Sequence, residues 1–264
     1  MLKFLAPLIL FVLFAPVVFA SSATAYKDYL YQFDVYRTKY ADFKVAKNEY
    51  LKFKTLTSQT TALGNTKAMM AQRDELLRAY LLLLNEKLNE NAGISETERN
   101  TYQTYIRNEV AFLEGHSKLV ESIGSLEDAT QTSRDLESHY AILSSSMRQT
   151  ISGISLGDLS VLAKSFDIAL ADAKALVTTN RGIFPPEKQA TLDRWLLQIA
   201  NVRSLYQQKV DIMRGYEQEL RGTNIEEQNQ RFAAIKRGVG EARQYLLDGS
   251  GYLGELTTAL RYQN

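Results

Sequence analysis

The chain has 264 residues and a nearly balanced charge, with 31 basic residues against 30 acidic ones, and it contains no cysteine. The balance excludes the basic footprint of a typical nucleic-acid-binding domain, because such a domain needs excess lysine and arginine to neutralise phosphates. Without cysteine the chain can form no disulfide, no thiolate metal site and no thiol nucleophile.

The first twenty residues, MLKFLAPLILFVLFAPVVFA, have the pattern of a secretory signal peptide. Lys3 supplies a positive charge, an apolar run follows, and Pro16 ends a helix where an extended cleavage site must begin. Val18 and Ala20 suit the narrow pocket of a signal peptidase, so we expect residues 1–20 to be removed. The alternative is an uncleaved anchor at residues 4–20, since a spanning helix needs about 20 apolar residues. Either form is exported, to a periplasmic, cell-surface or secreted location.

Many aromatic rings follow in the first predicted helix of the exported chain. They recur in steps of four and three residues, which keeps them on one side of an α-helix, whereas a strand would need steps of two. A stacking platform for bases or sugars usually comes from a few rings on a sheet or loop. The sequence therefore predicts a helix with a buried aromatic seam, formed by Tyr29, Phe33, Tyr36, Tyr40, Phe43 and Tyr50.

Similar spacing of apolar residues continues through the rest of the chain and predicts further helices. We expect helices at about 24–59, 66–91, 96–152, 156–180, 185–221 and 224–262. These boundaries rest on capping residues and helix breakers. They are Asn65 or Thr66 before the second helix, Gly93 after it as a left-handed stop, the Ser95–Glu98 box, Pro185 or Pro186, and Thr223 or Asn224.

Two glycine-containing segments decide how the middle of the chain is divided. Gly124 and Ser125, with Asp128 completing a weak capping box, offer one break, but the apolar stripe crosses them in phase and predicts one long, bent helix. The segment ISGISLGD at 151–158 contains Gly153 and Gly157, and it predicts the end of that helix and the start of the next.

These elements predict an all-α fold, an elongated antiparallel helical bundle with heptad seams. Short connections make consecutive helices antiparallel neighbours, so six helices divide into two consecutive three-helix units. We place the signal peptide at 1–20, the N-terminal unit at 21–152 and the C-terminal unit at 153–264.

The sequence predicts no catalytic, cofactor-binding or metal-binding residue. His116 and His139 have no carboxylate at the spacing that metal-binding helices use. Serines 144–146 lie near His139 in sequence, but we interpret them as small residues of a helix rather than as nucleophiles. Only convergence around an enclosed cavity would make a site of the isolated polar residues on the apolar stripes, which are Lys47, Glu109, His116 and Lys209.

Function is therefore predicted from architecture. We expect an exported, non-catalytic helical-bundle protein that acts as an interaction or scaffold module, with no cofactor and no nucleic acid. Its partner would be another protein or a second copy, with membrane contact only if the N-terminal segment is uncleaved. The alternative is a membrane-anchored extracytoplasmic bundle of the sensor type, in which that segment is retained.

Overall fold

The computed structural model describes residues 21–222 and 224–261, and within these ranges the chain is all-α. This confirms the predicted helical bundle. The predicted signal peptide and Thr223 lie outside the described residues. The helices are α1 (Ser22–Phe53), α2 (Leu56–Glu90), α3 (Glu96–Ser122), α4 (Leu126–Asn180), α5 (Pro186–Glu219) and α6 (Ile225–Arg261), with a 3₁₀ turn at Arg181–Ile183 between α4 and α5.

The helices pack around a shared α4. The hydrophobic side chains of the first part of α4 pack with α2 and α3, those of the second part pack with α5 and α6, and α1 lies against α2. The α5–α6 turn also reaches the first part of α4, where the Ser145 hydroxyl donates to the Leu220 carbonyl at 2.8 Å. One hydrophobic cluster includes α4 residues up to Ile154, and the next begins at Leu156. The change of partners therefore falls close to the predicted boundary at 152/153, but α4 itself is continuous there.

The predicted helix break at 153–157 is wrong, because its glycines serve close packing inside α4. A Cβ atom on Gly153 would lie 2.3 Å from the ring of Tyr102, and one on Gly157 would lie 2.4 Å from Asn91 Oδ1. Asn91 Nδ2 in turn donates to the Ile154 carbonyl at 3.0 Å. The α2–α3 loop and the start of α3 approach α4 closely only because these positions carry no side chain.

The prediction of one long helix across Gly124 is also wrong. α3 ends at Ser122 and α4 begins at Leu126, with Ser125 as its cap. The Ser125 hydroxyl accepts from the Asp128 N–H at 3.0 Å, and Asp128 Oδ2 accepts from the Gly124 N–H at 3.2 Å. The hydrogen bonds of Ser125 and Asp128 therefore start a new helix at Leu126, although the apolar residues on both sides of Gly124 have the spacing of one continuous helix.

The turn between α1 and α2 comes earlier than predicted. Lys54 ends α1 in the left-handed region, with φ of 52°, and Thr55 with Ser58 forms a capping box for α2. The predicted cap residues Asn65 and Thr66 lie inside α2, where their side chains donate to carbonyls four residues back.

Other boundary signals hold with one exception. Ser95 and Glu98 form the predicted capping box, Pro186 opens α5, and Asn224 Oδ1 accepts from the Glu227 N–H at 2.9 Å. Gly93 follows the end of α2, but its φ is not positive, so the predicted left-handed stop is wrong.

The prediction that the aromatic stripe of α1 is buried is wrong, because two of its six rings are exposed and the other four are only half-buried. Tyr29 and Tyr36 face α2 and are half-buried, whereas Phe33 and Tyr40 remain 40% and 44% exposed. The Tyr29 ring lies 5.4 Å from the Tyr80 ring of α2, and Ala46 is the most buried residue of α1. A helix with one main neighbour cannot cover so wide a stripe, so one row of rings lies at the surface.

Candidate functional site

A buried pair of one histidine and one aspartate lies between α2, α3 and α4. His116 on α3 lies 2.6 Å from Asp74 Oδ2 through Nδ1 and 2.9 Å from the Thr132 carbonyl through Nε2. Both neighbours are acceptors, so the imidazole satisfies both only when both nitrogens carry protons. Burial opposes that charge, but the hydrogen bonds to Asp74 and Thr132 outweigh it, and the pKa of His116 is raised. The pair links α2, α3 and α4.

The raised pKa of His116 predicts that the protein loses stability as pH rises. The stabilisation is complete below about pH 6.5, the ordinary pKa of histidine, and is lost as pH rises through the higher pKa of the folded state. We expect the excess Tm of the native chain over His116→Gln to be larger at about pH 6 than at about pH 9. Thermal melts followed by circular dichroism measure this difference, and a difference independent of pH would contradict it.

A second polar cluster lies between α3 and α4. Glu109, only 2% exposed, accepts from the Ser146 hydroxyl at 2.9 Å and lies 2.7 Å from His139 Nε2. His139 stacks on Phe112 with 3.6 Å between ring centroids. The serine contacts the glutamate and not the histidine, which differs from the order of contacts in acyl-transfer triads. The cluster pairs buried polar groups with one another.

The isolated polar residues of the apolar stripes do not come together as a site. Lys47 Nζ lies 5.7 Å from the Phe43 ring centroid, and Lys209 pairs with Glu241 at 2.5 Å. His116 and Glu109 belong to the separate clusters above. Across 21–222 and 224–261 no group of three or more metal-ligating side chains is found.

A polar cleft of about 400 Å³ lies where the two clusters of helices meet. Arg214 pairs with Glu98 at 2.9 Å across it. Burial raises the pKa of Glu217, which accepts a hydrogen bond from the Tyr102 hydroxyl. The charges in this cleft are compensated by their own neighbours.

We call the end of the α1–α2 hairpin, residues 51–56, the hairpin tip. Its first residue, Leu51, lines a groove with Leu126 and Ala129 of α4, and residues 52–56 lie beyond that groove. Leu63 of α2 packs in the same cluster as Ile123 of the α3–α4 turn, and α2 begins seven residues earlier, at Leu56. At about 1.5 Å per residue, the tip projects about 10 Å beyond that turn. Its apolar side chains are exposed, with Leu51, Phe53 and Leu56 at 56%, 59% and 79%.

The charge at the hairpin tip is entirely positive. Lys52 and Lys54 are exposed, and Lys52 Nζ lies 4.9 Å from the Phe53 ring centroid. No acidic residue occurs between Glu49 and Asp74 in the sequence. The tip is therefore a projecting surface that combines exposed apolar side chains with positive charge.

The same combination continues along one side of α1, which we call the aromatic flank. In helical register, three acidic residues of α1 share one row on the other side of the contact with α2; they are Asp28, Asp42 and Glu49. The charged residues among the rings of the aromatic flank are basic, and one of them, Arg37, is paired at 3.9 Å with the exposed Asp34 beside the flank. Its aromatic and basic members are Tyr26, Phe33, Arg37, Tyr40, Lys44, Lys47 and Lys54.

Comparison with known proteins gives no further guide to the function. No protein family, curated protein or solved structure matches the chain. None of the helices within the described ranges is both long enough and apolar enough to cross a membrane.

Proposed function

We propose that the chain is an exported, non-catalytic interaction module that contacts its partner through the α1–α2 hairpin. The observation that carries this proposal is the hairpin tip, which projects from the bundle and exposes Leu51, Phe53 and Leu56. Adjacent exposed apolar side chains of this size are typical of surfaces that bind something. Other exposed apolar side chains, such as Val161, Leu162 and Ile168 of α4, lie within the helices of the bundle and not at a projecting turn.

The interior supports a structural role for the titratable groups. Asp74 and His116 form a buried pair, and the buried Glu109 pairs with the half-buried His139; both pairs join neighbouring helices. A ligand pocket combines an apolar cleft with polar groups that point into it and await a partner. Both histidines contact carboxylates of the protein, which suits the stabilisation of a scaffold, and the cleft of about 610 Å³ beside His139 and Glu109 is lined by groups that pair with each other.

Site-specific crosslinking tests this proposal. We expect photoreactive benzoylphenylalanine at position 53 to give discrete adducts in the native envelope or secreted fraction, because Phe53 lies at the projecting tip. The matched control carries the same group at Leu197, which is 71% exposed on α5. Gel electrophoresis and mass spectrometry identify the adducts, and equal labelling at both positions, or none at position 53, would contradict the proposal.

One observation favours the anchored sensor-type bundle as a second candidate. α1 begins at Ser22, two residues after the predicted cleavage point, so a retained anchor would lead directly into it. The Ser22 N–H and hydroxyl both donate to the Glu90 carboxyl group, at 2.8 and 2.5 Å, which fixes the start of α1 to the end of α2. Mass spectrometry of the native protein decides between the candidates, since Ser21 as the first residue excludes an anchor.

A further inference from the structure

We propose that the hairpin tip docks on the surface of an anionic lipid bilayer. Leu51, Phe53 and Leu56 enter the interfacial layer, and Lys47, Lys52 and Lys54 bind the headgroups. This inference rests on the proposed function, because it takes the hairpin as the contact element and names what it contacts. It also means that the chain would contact a membrane even after residues 1–20 are removed.

The shape of the tip favours a bilayer over a small ligand or a protein groove. Phe53 and Leu56 lie at the end that projects about 10 Å beyond the α3–α4 turn at about 1.5 Å per residue, whereas Leu51 lies at the edge of a groove of about 440 Å³ between α1, α2 and α4. A projecting end encloses no ligand, and a protein partner would need a matching concavity to cover it. A bilayer interface is soft and closes around apolar side chains of any outline, so it needs no matching shape.

The charges at the tip complement anionic headgroups. Each basic residue near such a surface adds attraction, and the effect falls off within a Debye length. Lysine carries its charge on a long apolar stem, so its ammonium group can stay at headgroup level while Phe53 lies deeper. The neighbouring acid-free stretch, residues 50–73, adds no repulsion from this part of the hairpin.

The length of the hairpin sets the orientation of the bound protein. From Ser22 to Phe53 α1 rises about 47 Å at about 1.5 Å per residue, so the start of α1 lies far from the tip. The tip can therefore reach a membrane without help from the N-terminal segment. The experiment accordingly uses the chain from Ser21 to Asn264, so that any binding belongs to the folded part.

Cosedimentation with vesicles tests the inference. The probes are vesicles of phosphatidylcholine alone and vesicles that also contain about one third phosphatidylglycerol. We expect binding to the anionic vesicles at low salt, weaker binding at high salt and little binding to neutral vesicles. Two tip variants, Leu51→Ser/Phe53→Ser/Leu56→Ser and Lys47→Glu/Lys52→Glu/Lys54→Glu, should each lower the partition coefficient at least about tenfold. The control Ile183→Ser/Leu197→Ser removes two equally exposed apolar side chains elsewhere and should bind like the native chain.

A fluorescence measurement tests the inference without the triple variants of the tip. The chain has a single tryptophan, Trp195, so Phe53→Trp in a Trp195→Phe background reports on the tip alone. We expect its emission to shift to shorter wavelength when anionic vesicles are added, and Leu197→Trp in the same background should not shift.

The outcomes separate this inference from the proposed function. Absence of binding to anionic vesicles, or binding that the tip variants leave unchanged, contradicts the inference that the tip binds a bilayer. A tip-dependent dimer without vesicle binding contradicts it as well and indicates a second copy of the chain as the partner. If position 53 crosslinks to a protein while vesicles do not bind, the proposed interaction module is supported and the bilayer inference is wrong. If position 53 gives no adduct with protein or lipid, the proposed function falls as well.

Discussion

Replacing Gly93 with alanine is expected to lower the free energy of unfolding by about 3 kcal/mol, the upper part of the range for overpacking. An added Cβ would lie 1.9 Å from the Gly157 carbonyl oxygen, which is a backbone atom and cannot rotate away. The α2–α3 loop would have to move off α4, and the bond from Asn91 to the Ile154 carbonyl would be strained with it.

The measurement is urea unfolding of the variant and the native chain under the same conditions. Gly115→Ala is the matched control, because nothing lies within 4 Å of the added Cβ at this position in the middle of α3. Relief of the helix penalty of glycine should raise its stability by about 1 kcal/mol. A Gly93→Ala variant as stable as the native chain would show that the loop does not depend on this approach.

Removing one member of the buried pair, by His116→Leu, is expected to lower the free energy of unfolding by about 3–5 kcal/mol. The change leaves Asp74, 2% exposed, without its 2.6 Å partner; the nearest remaining cation is Arg73, whose Nε lies 3.6 Å from Oδ1. Arg73 is near enough to attract this carboxylate but makes no hydrogen bond to it, and a buried carboxylate without a hydrogen-bond partner costs more than the lost imidazole contacts alone.

A double-mutant cycle measures the coupling directly. His116→Leu/Asp74→Leu should be more stable than His116→Leu, because both charged groups are then replaced by apolar side chains. The control is Arg231→Ala, which breaks an exposed pair with Glu219 and should change stability by about 1 kcal/mol or less. Additive effects of the two leucine substitutions would mean that the pair is not coupled.

The all-α fold follows from periodicity, but several boundaries do not. Thr55 and Ser58 form a capping box with serine in the position usually held by glutamate or glutamine, so the usual sequence pattern does not identify it. Asn65 and Thr66 are good cap residues that instead bond to carbonyls of their own helix. Local sequence does not distinguish these two uses of the same side chains.

Tertiary packing explains the other differences. Gly153 looks like a helix breaker until Tyr102, fifty-one positions earlier in sequence, is placed against it. The stepping of rings in α1 shows that they share one side of a helix, but not how many neighbours cover that side. Tyr40 is exposed because α2 is the main neighbour of α1.

The candidate surfaces were only partly accessible from sequence. Glu109 and His116 interrupt an apolar stripe, which the sequence alone shows, and a buried polar group needs a partner. Their partners His139 and Asp74 lie on other helices, 30 and 42 residues away, so spacing within one helix cannot find them. The hairpin tip could have been noticed as the acid-free stretch after Glu49, but its projection depends on where α3 ends.

The continuity of α4 has a mechanical consequence. In most proteins with two hydrophobic cores a flexible linker lets the cores swing relative to each other. Here the connecting element is a single 55-residue helix, about 80 Å long at about 1.5 Å per residue, and each half of it is clamped by its own neighbours. A force applied near the start of α4 is therefore passed to α5 and α6 as a tilt of one stiff lever. Relative movement of the two ends requires bending α4, and Gly153 and Gly157 lie where its hydrophobic neighbours change from α2 and α3 to α5 and α6.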